Sequence, residues 1–166
     1  MTDCHSHIRD IAMKSNKCEQ EMFYKLSCYT QAHPDPSFIH QHAVDAFGAQ
    51  YADKNTKPIG LAFALIGLYL HIKKGFSGRE VQITHVKLAK HRKEWPEFDL
   101  PVSRGNITVY DVLDAPRGPK RDEMIYKWCV SVWDAYGDIH KKVANLVQAE
   151  LYDRQKKRKN LRYNPE

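Results

Sequence analysis

The sequence of 166 residues lacks the short motifs by which several large enzyme classes are recognised. It has no glycine-rich phosphate loop, no dinucleotide-binding fingerprint, no nucleophile elbow and no His-Glu-x-x-His pair. Their absence excludes only those enzymes whose chemistry depends on such local patterns. The sequence therefore assigns no reaction, and a functional site would have to be assembled from residues that lie far apart in the chain.

Long apolar segments are also missing. The most apolar stretch runs from Ile59 to Ile72 and is followed directly by Lys73 and Lys74. A membrane-spanning helix needs about 20 apolar residues, so this stretch is too short to cross a bilayer. Its composition is typical of a helix buried among other helices, and we expect no membrane partner.

Cysteine is scarce, and the N-terminus has no apolar leader. The four cysteines Cys4, Cys18, Cys28 and Cys129 are far apart, and the first ten residues are polar and charged. No signal peptide is predicted from such a start. A reducing, cytoplasmic location is the simplest interpretation of isolated cysteines.

The positive charge is concentrated at one end of the chain. The formal net charge is +6, but residues 154–162 hold six of the 26 basic side chains. Residues 1–153 carry 20 basic and 19 acidic side chains and are almost neutral. Basicity is therefore a property of the tail and not of the body, which weakens a nucleic-acid interpretation of the whole domain.

No alternating strand pattern or internal repeat is present, whereas apolar residues recur at helical spacing over most of the chain. We predict an all-α, single-domain bundle of four to five main helices. Its segments are a polar lead-in at 1–16, the helical bundle at 17–153 with an ordered crossover at about 92–106, and a basic tail at 154–166. The main helices are predicted at about 17–32, 36–52, 59–74, 78–91 and 122–155, with a short one after Thr108.

The second predicted helix carries the most distinctive polar residues. Asp35 and Pro36 are typical of a helix start. On one face, apolar residues recur together with His40, which we therefore predict to point inward, while His42 and Asp45 share the other face. His71 ends the most apolar helix, where a histidine interacts favourably with the helix dipole.

Five segments occur in an order that resembles a known family. They are HQHAVDAFGAQY, IGLAFALIGLYLHI, WPEFDLP, NITVYDV and WCVSVWDAYGDIHKKV. The order is similar to that of an uncharacterised family of small, mostly bacterial proteins, a domain of unknown function, over roughly residues 18–148. The resemblance implies an all-helical domain and transfers no reaction.

One departure from that family concerns metal binding. Relatives often begin with a Cys-x-x-Cys pair, which suggests a small metal knuckle, whereas this chain has Cys4-His5-Ser6-His7 and then isolated Cys18 and Cys28. These side chains could supply four zinc ligands, but their spacing is not that of a finger or ribbon.

Three histidines form the main site hypothesis. His40, His85 and His140 lie in or beside apolar stripes of three different helices, and bundle cores assemble metal sites from facing helices. They could hold a divalent metal such as zinc, or a small polar ligand, with Asp45 and Gln50 as supporting groups. The alternative is that each imidazole is a core residue satisfied by one hydrogen bond.

A non-enzymatic interaction module is the alternative function. The tail at 154–162 could neutralise phosphates of a nucleic acid, and an apolar helix face could bind a protein partner or form a homodimer. The sequence does not decide between an enzyme and a binding protein.

Overall fold

A computed structural model describes the backbone of residues 4–32 and 35–153, and the side chains of residues 17–32 and 35–151. These residues form a single all-α body without strands, so the predicted fold class is confirmed. The helices are α1 (Cys4–Ala32), α2 (His40–Gln50), α3 (Pro58–Lys74), α4 (Gly78–His91), α5 (Val109–Asp114), α6 (Pro119–Ala135) and α7 (His140–Val147). Helix α1 begins at Cys4 instead of near Lys17, and the tail from residue 154 lies outside the described residues.

Helix α3 is the centre of the fold, as its composition predicts. Leu65, Ile66 and Leu68 are fully buried, and the helix packs against α2, α4, α6 and α7. Pro58 occupies its first turn, and Gly75 ends it in the left-handed conformation at φ +69°. Within the described residues, no helix is both long and apolar enough to cross a membrane.

Helix α2 buries the opposite face from the one predicted. Ala43, Ala46 and Ala49 are fully buried, and their small side chains let α2 approach α3 and α6 closely. His42 and Asp45 lie on this alanine face and are 4% and 3% exposed. Backbone proximity therefore decides the orientation of the helix, and the bulkier stripe with His40 is only partly buried.

The crossover after α4 is ordered, as predicted, because polar side chains attach it to two helices. Gln50 donates from Nε2 to the carbonyls of Arg104 and Ile107, and its Oε1 accepts from the indole of Trp128. Ser131 accepts hydrogen bonds from the backbone N–H groups of residues 106 and 107. The predicted supporting residue Gln50 thus connects α2, α6 and the crossover.

The last predicted helix is divided into two. Helix α6 ends at Ala135, a 3-10 turn spans Gly137–Ile139, and α7 follows, ending in a π-helical turn over Gln148–Asp153. The ring of His140 stacks on Trp133 at 3.9 Å between centroids, and its Nε2 donates to the Trp133 carbonyl at 2.7 Å. The break places the His140 ring against the end of α6, where the same carbonyl also accepts from the Tyr136 backbone N–H.

We expect Gly75→Ala to lower the free energy of unfolding by about 1 kcal/mol, because an L-residue is strained in the left-handed region. A Cβ at Gly75 meets no atom within 4 Å, so the cost is conformational and not steric. Gly137 also has open space but no positive φ. Gly137→Ala is the matched control and should leave stability unchanged or raise it by about 0.5 kcal/mol. Urea unfolding of both variants measures the difference, and equal effects would contradict the explanation.

Candidate functional site

His40 lies at the contact between α1 and α2 with both ring nitrogens occupied. Its Nδ1 is 2.8 Å from the hydroxyl of Thr30, and its Nε2 is 3.1 Å from the side-chain amide of Gln31. Partial burial lowers the pKa of the imidazole. This side chain joins the end of α1 to the start of α2.

His85 and His140 stack on separate aromatic rings. His85 lies parallel to Phe63 at 4.5 Å between centroids, and burial lowers its pKa to about 4. His140 stacks on Trp133. Among the described side chains, no three His, Cys, Asp or Glu residues form a group that could hold a metal ion. The structure therefore does not assemble His40, His85 and His140 into the predicted metal site, because each ring is held by neighbours of its own.

The cysteines form no metal-binding group among the described side chains either. Cys18 and Cys28 are exposed, and Cys129 is fully buried, as its place on the apolar stripe predicts. The side chains of Cys4 and His7 lie outside the described part of the structure, as does the tail at 154–162 with its predicted nucleic-acid contacts. For the protein-binding alternative, Ile83 and Val86 on α4 are about half exposed.

A buried carboxyl group lies at the centre of the fold, where α2 crosses α3. Asp45 Oδ1 accepts a hydrogen bond from Gln41 Nε2 at 3.0 Å, whereas Oδ2 is buried without a hydrogen-bond partner. Gly67 of α3 is directly opposite, and a Cβ there would clash with the Asp45 carboxyl group. The glycine provides the space that the carboxyl group occupies.

Burial dominates the electrostatics of this position. It raises the pKa of Asp45 well above its ordinary value, and the hydrogen bond from Gln41 offsets only a part of the shift. Burial also raises the pKa of the Cys129 thiol, with the nearby Asp45 adding to the effect. A protonated carboxyl group is the form that such an environment favours, since an isolated charge would be poorly solvated.

Two further histidines, His42 and His71, stack face to face between α2 and α3. Their ring centroids are 3.5 Å apart and the ring planes differ by 16°. His71 Nδ1 lies 3.2 Å from the Phe76 carbonyl, to which it donates, and His42 Nδ1 is buried without a hydrogen-bond partner. The two rings come from α2 and α3, so the pair is created by tertiary packing.

Both imidazoles are neutral at physiological pH. Burial, and secondarily the neighbouring His71, lowers the pKa of His42 to about 3. Burial also lowers the pKa of His71, against the opposing effect of its hydrogen bond to Phe76. The prediction placed His71 at the helix end as a dipole partner, and the position is correct, but its stacking on His42 was missed. The sequence signal for this site was the three-residue spacing of His42 and Asp45, which puts both side chains on one face of α2.

The histidine pair lines a cavity of about 540 Å³, here called the histidine cavity. It lies between the end of α3, the starts of α2 and α4, and the first turns of α6. Its polar wall includes the carboxylates of Glu80 and Asp122, and the phenol ring of Tyr126 stands edge-on to His71 at 5.5 Å. The remaining wall is largely apolar and is formed by Ile39, Ile72, Phe76 and Ile125.

Fold and site together define a small all-α protein with an imidazole pair in a cavity that has both polar and apolar walls. Residues 1–137 match DUF5946, a family of unknown function, and the chain belongs to this family. No curated protein and no solved structure matches the chain. The predicted resemblance to an uncharacterised all-helical family is confirmed.

We expect Gly67→Ala to lower the free energy of unfolding by about 2 to 3 kcal/mol, because the added methyl group overlaps the Asp45 carboxyl group. Gly60→Ala on the same helix is the control, since a Cβ there makes only an ordinary contact with Thr56. Adding Asp45→Ala should relieve most of the cost of Gly67→Ala. Chemical unfolding of the double-mutant cycle measures the coupling, and additive effects would argue against the contact.

Asp45→Asn should stabilise the protein more at pH 7 than at pH 4. Because the folded-state pKa of Asp45 is raised, the stability that its protonated carboxyl group contributes is fully present below the unfolded pKa of about 3.9. That contribution is lost as pH rises. Asparagine does not titrate and has no such loss. The difference in free energy of unfolding between the variant and the wild type should therefore grow by about 1.4 kcal/mol per pH unit between the unfolded and folded pKa values of Asp45.

The lowered pKa values of His42 and His71 make the folded state more stable as pH rises, in the wild type and the variant alike. The comparison therefore uses the difference in free energy of unfolding between the two proteins at each pH. Urea unfolding from pH 4 to 7 measures it. A difference that does not change with pH would show that Asp45 is ionised in the folded state.

Proposed function

We propose that the protein binds a small organic cation, an amine with an apolar substituent, in the histidine cavity. The observation that carries this proposal is the fixed tautomer of His71. Its Nδ1 donates to the Phe76 carbonyl, so in the neutral ring the lone pair is on Nε2. Within the described residues Nε2 has no hydrogen-bond partner, and it is available to accept from an N–H group.

The charge of the cavity favours the same class of ligand. Its wall contains two carboxylates, from Glu80 and Asp122, and among the described residues no lysine or arginine lines it. Glu80 accepts from the backbone and hydroxyl of Ser77, and these hydrogen bonds lower its pKa and keep it ionised. A cation is attracted to such a wall, whereas an anion is repelled.

The apolar part of the wall suits a hydrocarbon or aromatic substituent. Ile39, Ile72 and Phe76 contribute side chains on one cavity surface, and Tyr126 is 46% exposed beside them. An ammonium group over an aromatic face gains a further attraction. These contacts explain why the proposed ligand is an organic amine and not a simple inorganic cation.

The stacking of the imidazoles also favours a hydrogen-bonding ligand over a metal ion. Ring nitrogens bind a metal at about 2.0–2.1 Å with the lone pair in the ring plane. Rings that lie nearly parallel at 3.5 Å direct their lone pairs side by side and not toward one point. The cavity therefore supports the small-ligand form of the histidine hypothesis, with His42 and His71 in place of the three residues first predicted.

Benzylamine is the test ligand, with benzyl alcohol and benzoate as its neutral and anionic analogues. We expect benzylamine to bind at neutral pH and the two analogues to bind at least about ten-fold more weakly, because each lacks the ammonium charge. Chemical-shift changes at the His71 ring, which report this cavity alone, compare the three compounds, and isothermal titration calorimetry measures the affinity of benzylamine. Tighter binding of benzoate in this cavity would contradict the proposal.

His71→Phe separates a ligand contact from a packing role, because phenylalanine preserves a ring that can stack on His42. We expect it to weaken benzylamine binding by about ten-fold through loss of the Nε2 acceptor. His91→Phe, at the exposed end of α4, is the control and should bind as the wild type does. Unchanged affinity in a folded His71→Phe protein would overturn the assignment.

A further inference from the structure

A second and larger cavity lies on the other side of Tyr29, between the C-terminal half of α1 and the start of α6. Its volume is about 980 Å³, and we call it the basic cavity. The wall contains the side chains of Lys25, Arg117 and Arg121, and within the described part of the chain no aspartate or glutamate lines it. Its charge is the opposite of that in the histidine cavity.

Arg121 is the central cation of this wall and is only 8% exposed. Its Nη2 donates to the carbonyls of Leu113 and Ala115, and its Nε also donates to Ala115. Its Nη1 makes no hydrogen bond to the described residues, and none of their carboxylates lies within 4.0 Å of the guanidinium. A buried arginine normally has an anionic partner, and among the described residues this one has none.

The neighbouring groups hold Arg121 in position. Its guanidinium lies 4.8 Å from the ring centroid of Tyr29. The Tyr29 hydroxyl accepts from the Gly118 backbone N–H at 2.9 Å and donates to Asp122 Oδ1 at 3.2 Å. Asp122 lines the histidine cavity and not the basic one. The guanidinium is therefore preorganised before any ligand arrives, which reduces the entropic cost of binding.

We propose that the basic cavity binds a small organic anion through a phosphate or carboxylate group. Arg121 Nη1 supplies a donor that is not fully buried, and the exposed cations Lys25 and Arg117 add charge to the wall. Planar guanidinium groups are well suited to both oxyanions. Met22 and Leu113 give the wall an apolar part, so an anion with a hydrocarbon or aromatic portion fits better than an inorganic ion.

This proposal is independent of the proposed amine site. The two cavities have separate walls and opposite charge, and their ligands differ in the sign of the charged group. Loss of one binding activity would leave the other unaffected.

The chain contains its own reporter of occupancy, because Cys28 is exposed and lines the basic cavity. Cys18 is also exposed but does not line it, and it serves as an internal reference. A glutamate-specific protease separates the two thiols in the wild type and in both double variants below, since Glu19 and Glu21 lie between them. Alkylation by iodoacetamide, followed by mass spectrometry of both peptides, therefore measures protection of Cys28 alone.

Phenyl phosphate and benzoate are the probes, with benzyl alcohol as the neutral analogue. We expect at least one anion to slow alkylation of Cys28 by about three-fold or more at saturation while Cys18 reacts at an unchanged rate. The stronger of the two anions distinguishes phosphate from carboxylate recognition. Protection by neither anion, or equal protection by benzyl alcohol, would overturn the proposal.

The double variant Lys25→Gln with Arg117→Gln removes the two exposed cations and leaves the structural hydrogen bonds of Arg121 intact. We expect the anion concentration needed for half-maximal protection to rise by about ten-fold. Lys17→Gln with Lys120→Gln also removes two exposed cations, but these do not line the cavity. This control has the same net charge, so equal weakening in both variants would show only a general charge effect and would refute a specific site.

Discussion

The close contact of α2 with α3 is the constraint on which the rest of the structure depends. Ala43, Ala46 and Ala49 bring the two backbones together, and Gly67 leaves the space that the Asp45 carboxyl group fills. In this arrangement the polar side chains of α2 are turned into the core. His42 is then carried against the end of α3, where its ring stacks on another imidazole. The position of the polar site therefore depends on the packing of these small residues.

Burial keeps the interior polar groups neutral, and the charges are distributed to the cavity walls. Burial favours the protonated form of Asp45 and the neutral form of His42, because the charged forms are poorly solvated inside the bundle. At the start of α6, two consecutive residues face different cavities: Arg121 lines the basic cavity and Asp122 the histidine cavity. Tyr29 contacts both residues, and its own ring lines the basic cavity. One helical turn therefore contributes to two cavity walls of opposite charge.

Several residues in the motifs that resemble the family have structural roles here. Gln50 and Ser131 attach the crossover to α2 and α6 through hydrogen bonds. Thr108 and Asp111 form the capping box that starts α5. His140 bonds a carbonyl near the end of α6 after the chain breaks at the following turn. These contacts explain how residues far apart in sequence can identify a fold without identifying a reaction.

The sequence by itself determined the helices, since their signals are local. Pro58 at the start of α3, Gly75 at its end, and the Ser77 and Glu80 capping box of α4 each act within a few residues. The predicted start of α2 at Asp35 and Pro36 is wrong, because these residues form the turn before the helix, which begins at His40. Apolar composition likewise predicted α3 as the central helix. The orientation of α2 could not be read in this way, because bulk hydrophobicity favoured the stripe with His40 whereas close backbone approach buried the alanine face.

Only the tertiary structure decided which polar residues meet. The pairing of His42 with His71, and the position of Arg121 beside Tyr29, join side chains from different helices. Helical periodicity gives the face on which a residue lies but not the rotation and offset of one helix against another. Rotation and offset depend on the packing of the whole core. Gly67 contributes by leaving the space that the Asp45 carboxyl group occupies.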